Sequence, residues 1–305
     1  MGESGRRVLL TGATGFVGRA LRPSLEAEGF VVRCASRHPA RAAASDPQAE
    51  WVELDLDRPR TLAPALRGVD VAFHLIHGMS EGHGYAEREA QGARAFRDAA
   101  QAEGVGRIVY LGGVDPAGKP SKHLASRLET GRILRAGAVP TLEIRASMIA
   151  GPGSISWQMV RDLAARLPVM ILPAWLKYGS WPVYIDDVCA ALVRAVDVPL
   201  PDGSRWFDAP GPERTTHGDL IRRVAARMDR HPPAVPVPVF SPRLSSYWVA
   251  LVTRADLNVA KELVQGLGSD LDPSGPEIWA YMAGFRRTGL DEMIDRCLAA
   301  DASGV

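Results

Sequence analysis

The feature of the sequence that most constrains the fold is a glycine-rich segment close to the start of the chain. Residues 11–18 read Thr-Gly-Ala-Thr-Gly-Phe-Val-Gly, and they lie between a short apolar segment at Arg7–Leu10 and an amphipathic segment at Val17–Glu28. This pattern predicts a strand, a tight turn and a helix in that order. A glycine motif in this context is typical of a dinucleotide-binding site.

The three glycines of this motif have different predicted tasks. Gly12 would form the tight turn, Gly15 would let backbone N–H groups approach a pyrophosphate, and Gly18 would let the helix pack on the strand. The helix N-terminus adds a partial positive charge that favours phosphate groups. The predicted cofactor contacts of this segment are Gly12, Thr14, Gly15, Phe16 and Val17.

The first half of the sequence alternates short apolar segments with helical patterns. Helices of this length between strands require parallel pairing with right-handed crossovers. We therefore predict an α/β fold with a doubly wound parallel sheet of the Rossmann type. The predicted strands are 7–10, 30–35, 51–54, 69–76, 107–111 and 141–144, and the predicted helices are 17–28, 61–67, 85–103 and 121–135.

The second half of the sequence has a different character, with helical patterns separated by Pro- and Gly-rich loops. We predict that residues 5–151 form the dinucleotide-binding domain and that residues 179–198 return to it. Residues 152–178 and 199–305 would then form a smaller, discontinuous and mostly helical substrate lobe.

The end of the second predicted strand indicates which dinucleotide is bound. A site that prefers NAD places an acid there, but this chain has Ser36 and Arg37, then Arg41, and no acid before Asp46. A hydroxyl beside a guanidinium group suits a 2′-phosphate, which favours NADP(H), with NAD(H) as the alternative. Arg37 and Arg41 could also be ordinary solvated charges of a loop.

Residues after the later strands are expected to complete the cofactor site. Asp55 and Leu56 would hold and cover the adenine, while Leu75 and His77 lie near the expected ribose position. His74, His77 and His83 do not have the spacing of a metal site, so no metal is predicted. Gly112 and Ser147 follow the fifth and sixth strands and are the remaining predicted cofactor contacts.

The charge balance excludes several other classes of protein. The 305 residues include 36 basic and 35 acidic side chains, a net charge of +1, which argues against nucleic-acid binding and against a polybasic membrane anchor. No segment approaches the roughly 18 apolar residues of a membrane span, and no signal-peptide pattern is present. Cys34, Cys189 and Cys297 are too far apart to suggest disulfides or zinc ligands. We expect a cytoplasmic protein that is a monomer or homodimer.

These motifs together resemble the extended and atypical short-chain dehydrogenase/reductase superfamily over about residues 7–230. The resemblance rests on the glycine turn, Asp55-Leu56, and the segments 69–75, 107–111, 145–153 and 183–188. Residues 110–114 and 121–127 look similar to the NmrA-like and isoflavone-reductase-like branch, and to the accessory dinucleotide-binding subunit of respiratory complex I.

The resemblance implies catalytic machinery that this chain has replaced. The superfamily uses a Ser or Thr after the fifth strand and a Tyr-x-x-x-Lys motif on the next helix. Here Gly112 and Gly113 stand at the first position, and His123 and Arg127 stand at the Tyr and Lys positions. Either His123 and Arg127 are a substituted acid pair, or proton transfer is done elsewhere, or there is none.

The predicted lobe is rich in aromatic and methionine residues, a composition that fits either core packing or a pocket for a bulky hydrophobic ligand. The candidate pocket residues are Trp157, Met170, Trp175 and Tyr247. The sequence as a whole indicates an NADPH-dependent oxidoreductase that reduces a hydrophobic, aromatic or conjugated carbonyl compound. The alternatives are a catalytically silent NADP(H)-binding sensor or accessory subunit and, less favoured, an epimerase or dehydratase.

Overall fold

Parallel strands and helices alternate along most of the computed structural model, which describes residues 5–76, 84–166, 170–172, 174–236, 266 and 268–303. The strands are β1 (Arg7–Leu10), β2 (Val31–Ser36), β3 (Glu50–Glu53), β4 (Val71–His74), β5 (Arg107–Gly113), β6 (Thr141–Ala146), β7 (Ile149–Ala150), β8 (Met170–Leu172), β9 (Gly179–Ser180), β10 (Val183–Tyr184), β11 (Arg205–Asp208), β12 (Thr215–Thr216) and β13 (Ala234–Pro236).

The helices lie between these strands and vary widely in length. The α-helices are α1 (Phe16–Ala27), α2 (Pro39–Ser45), α3 (Leu62–Leu66), α4 (Tyr85–Ala102), α5 (Lys122–Arg135), α6 (Ile155–Arg166), α7 (Ile185–Arg194), α8 (His217–Arg227) and α9 (Leu290–Ser303). Short 3₁₀ turns occur at Pro59–Thr61, Ala174–Lys177 and Ile278–Tyr281.

The main sheet has seven parallel strands in the order β11-β6-β5-β4-β1-β2-β3. The chain builds β1, β2 and β3 in one direction and then returns to add β4, β5 and β6 on the other side of β1. The direction of building reverses between β1 and β4, where open α/β sheets bind ligands at the carboxyl ends of the strands. The predicted doubly wound sheet is confirmed.

Both faces of the sheet are buried, which explains why its central strands are continuously apolar. Val8 and Leu10 of β1 belong to the hydrophobic core on one face, where α1 packs against α7. Leu9 belongs to the core on the other face, which is covered by α3, α4 and α5. Because the two layers hold the strands in place, the loops at the carboxyl edge have a rigid support.

The second half of the chain forms helices and short strand pairs. Helices α6 and α8 pack together, and α9 contacts α8. Strand β7 pairs with β10, β9 pairs with β12, and β8 pairs with β13. No helix among the described residues is long and apolar enough to cross a membrane. The three cysteines are buried free thiols.

The structure differs from the sequence prediction at two elements. The predicted lobe includes residues 199–305, but β11 lies within that range and pairs in parallel with β6, with Phe207 beside Ile144. Helix α2 follows β2 directly and was not predicted, because its sequence Pro-Ala-Arg-Ala-Ala-Ala-Ser has no apolar periodicity.

Candidate cofactor and catalytic site

The glycine turn after β1 is tied to the end of β4. The Thr11 hydroxyl donates a hydrogen bond to the Phe73 carbonyl at 2.9 Å and accepts one from the Leu75 backbone N–H at 3.0 Å. The backbone N–H of Thr11 also donates to the Phe73 carbonyl, at 3.1 Å. These bonds fix the turn at the reversal point of the sheet, where a ligand is expected.

The backbone of this turn requires glycine at two positions. Gly12 has a φ of +66°, and a Cβ atom there would lie 2.8 Å from the Leu75 carbonyl oxygen. At Gly18 a Cβ atom would lie 2.7 Å from the Cα of Ala13, which is too close for two carbon atoms that are not bonded to each other. The tasks predicted for these two residues, the tight turn and the close packing of helix on strand, agree with this geometry.

Helix α1 begins at Phe16 with its first N–H groups uncapped by any side chain. Gly15 is the N-cap residue, and the first turn of the helix contains no acidic residue. Thr14 and Gly15 are exposed, whereas Phe16 and Val17 are half-buried. The N-terminus therefore has backbone donors and a helix dipole available for a phosphate.

A cavity of about 790 Å³ adjoins the turn, between α1, β2 and α2. It contains the predicted residues Thr14, Ser36 and Arg41 together with several basic residues that the sequence analysis had not selected. Its lining residues are Ala13, Thr14, Arg19, Arg22, Pro23, Glu26, Cys34, Ser36, His38, Arg41, Ala42, Ser45, Asp46 and Trp51.

Both acidic residues of this cavity are paired with the same arginine, and three arginines line the cavity against these two acids. Arg22 donates hydrogen bonds to both Glu26 and Asp46. Arg19 and Arg41 make no hydrogen bond or ion pair through their guanidinium groups to any described residue. The cavity therefore has a surplus of positive charge next to the phosphate-binding turn.

Asp55 and Leu56 lie in the loop after β3 and are held by local contacts. Asp55 accepts hydrogen bonds from Arg58 Nε at 2.8 Å and from the Asp57 N–H at 3.1 Å. Burial alone would raise the pKa of Asp55, but these hydrogen bonds and the charges of Arg58 and Arg37 lower it. Leu56 packs against Gly92 of α4, where a Cβ would lie 2.9 Å from that of Leu56. Both side chains are partly exposed at the edge of the sheet.

The end of β4 is an apolar environment, although the sequence has His74 and His77 there. His74 is 2% exposed and packs on Phe96 and Tyr110, with ring centroids 4.8 and 5.8 Å away. Burial lowers the pKa of His74 to about 4. Leu75 is buried in the core below the glycine turn. The predicted ribose contact His77 lies outside the described residues.

Arg127 ties the start of α5 to the end of β5. Its Nη2 donates to the carbonyls of Leu111 and Gly112 at 3.0 and 3.1 Å. The Tyr110 hydroxyl donates to the Arg127 carbonyl at 2.9 Å. The residue at the Lys position of the family motif thus makes fixed contacts with the strand end.

His123 is half-buried near Arg127, and the structure describes no hydrogen-bond partner for its Nδ1. Burial, helped by the charge of Arg127, lowers the pKa of His123 to about 4. The imidazole is therefore neutral near pH 7, which is the opposite of what a histidine acid at that pH requires.

Ser147 joins the sheet to the second half of the chain. Its hydroxyl donates to the Trp181 carbonyl at 3.1 Å and accepts from the Trp181 N–H at 3.3 Å. The Trp181 indole in turn donates to Asp272 at 2.9 Å. Ser147 is half-buried beside the carboxyl end of β6, but its hydrogen bonds are made within the protein.

The four candidate pocket residues do not come together in the described part of the structure. Trp157 is completely buried in the main core, and its indole donates to Asp301 at 2.9 Å, so it is a core residue. Met170 and Trp175 lie in β8 and in the turn Ala174–Lys177, but their side chains are outside the described part. Tyr247 lies outside it entirely.

The sequence analysis missed a buried charge cluster behind β5. Glu143 on β6 is fully buried and pairs with Arg135 and Arg145. The available signal was the alternation Leu-Glu-Ile-Arg at residues 142–145, within and just after the predicted strand 141–144. No group of residues in the described part of the chain is arranged to bind a metal.

Comparisons with known proteins agree with this geometry. Residues 12–147 match a family model described as NAD(P)H-binding. The chain is 30% identical over 197 residues to a ceramide reductase of Caulobacter vibrioides, a match that covers 63% of this chain and 62% of the relative. It is also 30% identical over 235 residues to an uncharacterized Mycobacterium tuberculosis protein, covering 76% of this chain and 24% of that protein. The chain thus spans less than two thirds of these relatives.

A solved structure shares the fold over nearly the whole chain. The triphenylmethane reductase of a Citrobacter species, crystallised with NADP(H), matches 96% of this chain and 99% of its own. The TM-score is 0.72 and the sequence identity is 15%. At this identity the similarity shows the Rossmann fold and its helical C-terminal region.

Proposed function

We propose that the protein is an NADPH-dependent reductase of a hydrophobic carbonyl compound, and the match of residues 12–147 to an NAD(P)H-binding family model supports this proposal. The observation that carries the cofactor preference is the positively charged cavity beside the uncapped N-terminus of α1. The family relationship supports an oxidoreductase, and the names of two similar proteins support a hydrophobic substrate.

The residues present fit the cofactor. Gly12 and Gly18 let the turn pack tightly against Leu75 and Ala13, and the exposed Thr14 and Gly15 face solvent at the start of α1. The N–H groups at the start of α1 would hold the pyrophosphate. When bound, NADPH supplies the hydride. All further steps depend on how the protein binds and orients it.

The 2′-phosphate is the proposed ligand of the cavity between α1 and α2. Ser36 and Arg37 at the end of β2, with Arg41 on α2, would bind it. Ser36 and Arg41 line the cavity, and Arg19 on α1 lines it as well, whereas Arg37 is not one of its lining residues. Since Arg22 pairs with both Glu26 and Asp46, Arg19 and Arg41 stay available, and their charge favours a dianion over the two hydroxyls of an NAD ribose.

The low pKa of His123 bears on the three alternatives for proton transfer. With a pKa of about 4, His123 carries almost no imidazolium near pH 7. We therefore propose that the proton is supplied elsewhere or that no acid residue takes part. Arg127, whose guanidinium donates to two carbonyls of β5, would position the strand end and hold the cofactor ribose.

A hydrophobic substrate is supported by the residues at the carboxyl end of β6. Met148 and Trp181 lie there, half-buried, beside Ser147. Ceramide and triphenylmethane compounds, named in two of the similar proteins, are largely apolar. We propose an aromatic or conjugated carbonyl compound and retain Met170, Trp175 and Tyr247 as predicted pocket residues.

The cofactor preference is tested by fluorescence titration of NADPH and NADH with wild type, Arg37→Asp and Arg67→Asp. Arg67 is 74% exposed in its side chain and lies away from the cavity, so it controls for the change of net charge. We expect Arg37→Asp to weaken NADPH about tenfold or more and NADH by less than about twofold, since only NADPH carries the extra phosphate. Equal losses for the two cofactors would refute the 2′-phosphate assignment.

The reductase activity is tested by NADPH consumption with panels of quinones, enones and ketones. Turnover of an apolar member of these panels supports the proposal. Tight NADPH binding without consumption on any panel would favour the silent sensor or accessory subunit. That alternative is supported by one feature, the replacement of the family's hydroxyl and tyrosine at Gly112 and His123.

A further inference from the structure

The buried carboxylate of Glu143 lies between β6, β5 and α5. Glu143 is 0% exposed, and every residue of β6 around it is buried. Oε2 accepts a hydrogen bond from Arg135 Nε at 2.8 Å, and Oε1 accepts one from Arg145 Nε at 2.9 Å. Arg145 in turn lies over the Trp206 ring, 4.1 Å from its centroid. The carboxylate is thus paired on both sides.

Two glycines make room for this carboxylate. A Cβ atom on Gly112 of β5 would lie 2.5 Å from Oε1 of Glu143. A Cβ atom on Gly131 of α5 would lie 2.5 Å from Oε2 of the same residue. Both positions therefore exclude any side chain while Glu143 is in place.

Gly112 on β5 and Gly131 on α5 have different surroundings. The Gly112 carbonyl accepts a hydrogen bond from Arg127, which stands at the Lys position of the family motif. Gly112 itself stands at the position where the family has a Ser or Thr. Gly131 lies about one turn after Arg127 on α5, within the packed face of the helix. Only one of the two glycines borders the proposed cofactor site.

A buried ion pair rarely adds stability over apolar residues of the same size, because removing both charges from water costs as much as their attraction returns. The cluster of Glu143, Arg135 and Arg145 therefore needs a reason other than stability. The geometry of the cluster suggests a positional role, because the Glu143 carboxylate lies against Gly112 at the end of β5, and Arg127 donates a hydrogen bond to the carbonyl of the same glycine.

We propose that Glu143 is a positioning residue for the nicotinamide half of the cofactor, an inference that rests on the proposed function. The Glu143 carboxylate sets the distance between α5 and the end of β5. It thereby fixes the Gly112 backbone and the Arg127 guanidinium at the carboxyl edge of the sheet. The same carboxylate excludes the Ser or Thr that the family carries at position 112.

The two glycines provide a matched pair of variants that keep the buried charge. Gly112→Ala places a methyl group 2.5 Å from one oxygen of Glu143, and Gly131→Ala places one 2.5 and 2.6 Å from its two oxygens. Glu143→Asp withdraws the carboxylate by roughly one C–C bond, about 1.5 Å, and should relieve either clash. The variants are Gly112→Ala, Gly131→Ala, Glu143→Asp and the two double variants.

Binding is measured by titration with NADPH and with adenosine 2′,5′-bisphosphate, which lacks the nicotinamide half, and the Tm is followed by circular dichroism. Both glycine variants should lower the Tm. Gly112→Ala should raise the Kd for NADPH about tenfold and leave that for the bisphosphate within about twofold, because only the nicotinamide end is displaced. Gly131→Ala should leave both Kd values within about twofold, and Glu143→Asp should restore NADPH binding in the Gly112→Ala background.

Three outcomes would overturn the inference. The first is an equal loss of NADPH affinity in both glycine variants, and the second is an equal loss for both ligands. The third is the absence of rescue by Glu143→Asp. If the wild type binds no NADPH at all, the proposed function itself is wrong. If the wild type binds NADPH and the variants behave alike, only the role of Glu143 is refuted.

Discussion

His74 should make the protein less stable in mildly acidic solution. Its ring is enclosed by Phe96 and Tyr110 at the end of β4, and its Nδ1 has no hydrogen-bond partner among the described residues. Burial therefore favours the neutral imidazole and lowers the pKa from 6.5 to about 4. In the unfolded chain the same histidine takes up a proton near its ordinary pKa.

The sign of the effect follows from proton uptake. Between pH 6.5 and about 4 the unfolded chain binds a proton at His74 that the folded protein does not. Stability is consequently lost as the pH falls through this window, and the contribution is absent above it. From about pH 7.5 to pH 5 the loss from this one residue is about 2 kcal/mol.

The assay is urea unfolding at these two pH values for wild type, His74→Phe and Phe96→Leu. Replacing His74 removes the titrating group, so the loss of unfolding free energy on acidification should be about 2 kcal/mol smaller than in wild type. Phe96→Leu weakens the same apolar cluster without removing a proton-binding site. It should lower stability by a similar amount at both pH values.

The comparison is between changes with pH, so any packing cost of the new side chain cancels. If His74→Phe loses as much stability on acidification as wild type, the imidazole is not held neutral in the folded state. The account of the end of β4 as an apolar environment would then be wrong.

Three further predictions concern the glycine turn, the buried Asp187 in the second half of the chain, and His123. Gly12→Ala should abolish NADPH binding in titrations and lower the free energy of unfolding in urea by about 3 kcal/mol, because the new Cβ atom would collide with backbone atoms. The control is Gly68→Ala. Gly68 has a similar φ of +69° but open space around it, so this variant should lose only about 1 kcal/mol. Asp187→Ala leaves the buried N–H and hydroxyl of Thr288 without their acceptor and should lower the free energy of unfolding by about 3 kcal/mol. A much smaller loss would show that these two hydrogen bonds do not stabilise the fold. His123→Phe should leave the pH profile of turnover unchanged between about pH 6 and 8, since the imidazole is already neutral there. Loss of a basic limb, in which turnover falls as the imidazolium loses its proton, would instead identify His123 as the acid.

The central strands β1, β4 and β5 could be predicted because they are buried on both faces and largely apolar. The predicted β1 agrees with the observed Arg7–Leu10, and β2 to β6 agree within a few residues. The order of the strands could not be read from periodicity. Strand β11, with the sequence Arg-Trp-Phe-Asp, gave no signal because its pairing with β6 joins residues about 60 positions apart in the chain.

The geometry of the glycine turn could be predicted from the sequence, whereas the state of His123 could not. The glycine motif requires its geometry locally, as the positive φ of Gly12 shows. His123 looks like an acid in sequence, and only its burial beside Arg127 shows that it is neutral at pH 7. Glu143 was missed because a charge in a strand suggests an exposed face, while its partner Arg135 comes from a different element. The cytoplasmic location and the monomeric or dimeric state stay predictions.

The place of β11 in the sheet has a consequence for how the chain is synthesised. Until residues 205–208 leave the ribosome, β6 is a bare edge strand whose backbone groups can pair with another nascent chain. Helix α7, which covers α1, also comes late, and Arg107 at the start of β5 donates to carbonyls at 195, 196 and 198. A fragment that ends after the glycine-turn domain, near residue 151, should therefore aggregate, although it contains every residue of the NAD(P)H-binding match. The cofactor domain and the second half of this chain have to be expressed as one piece.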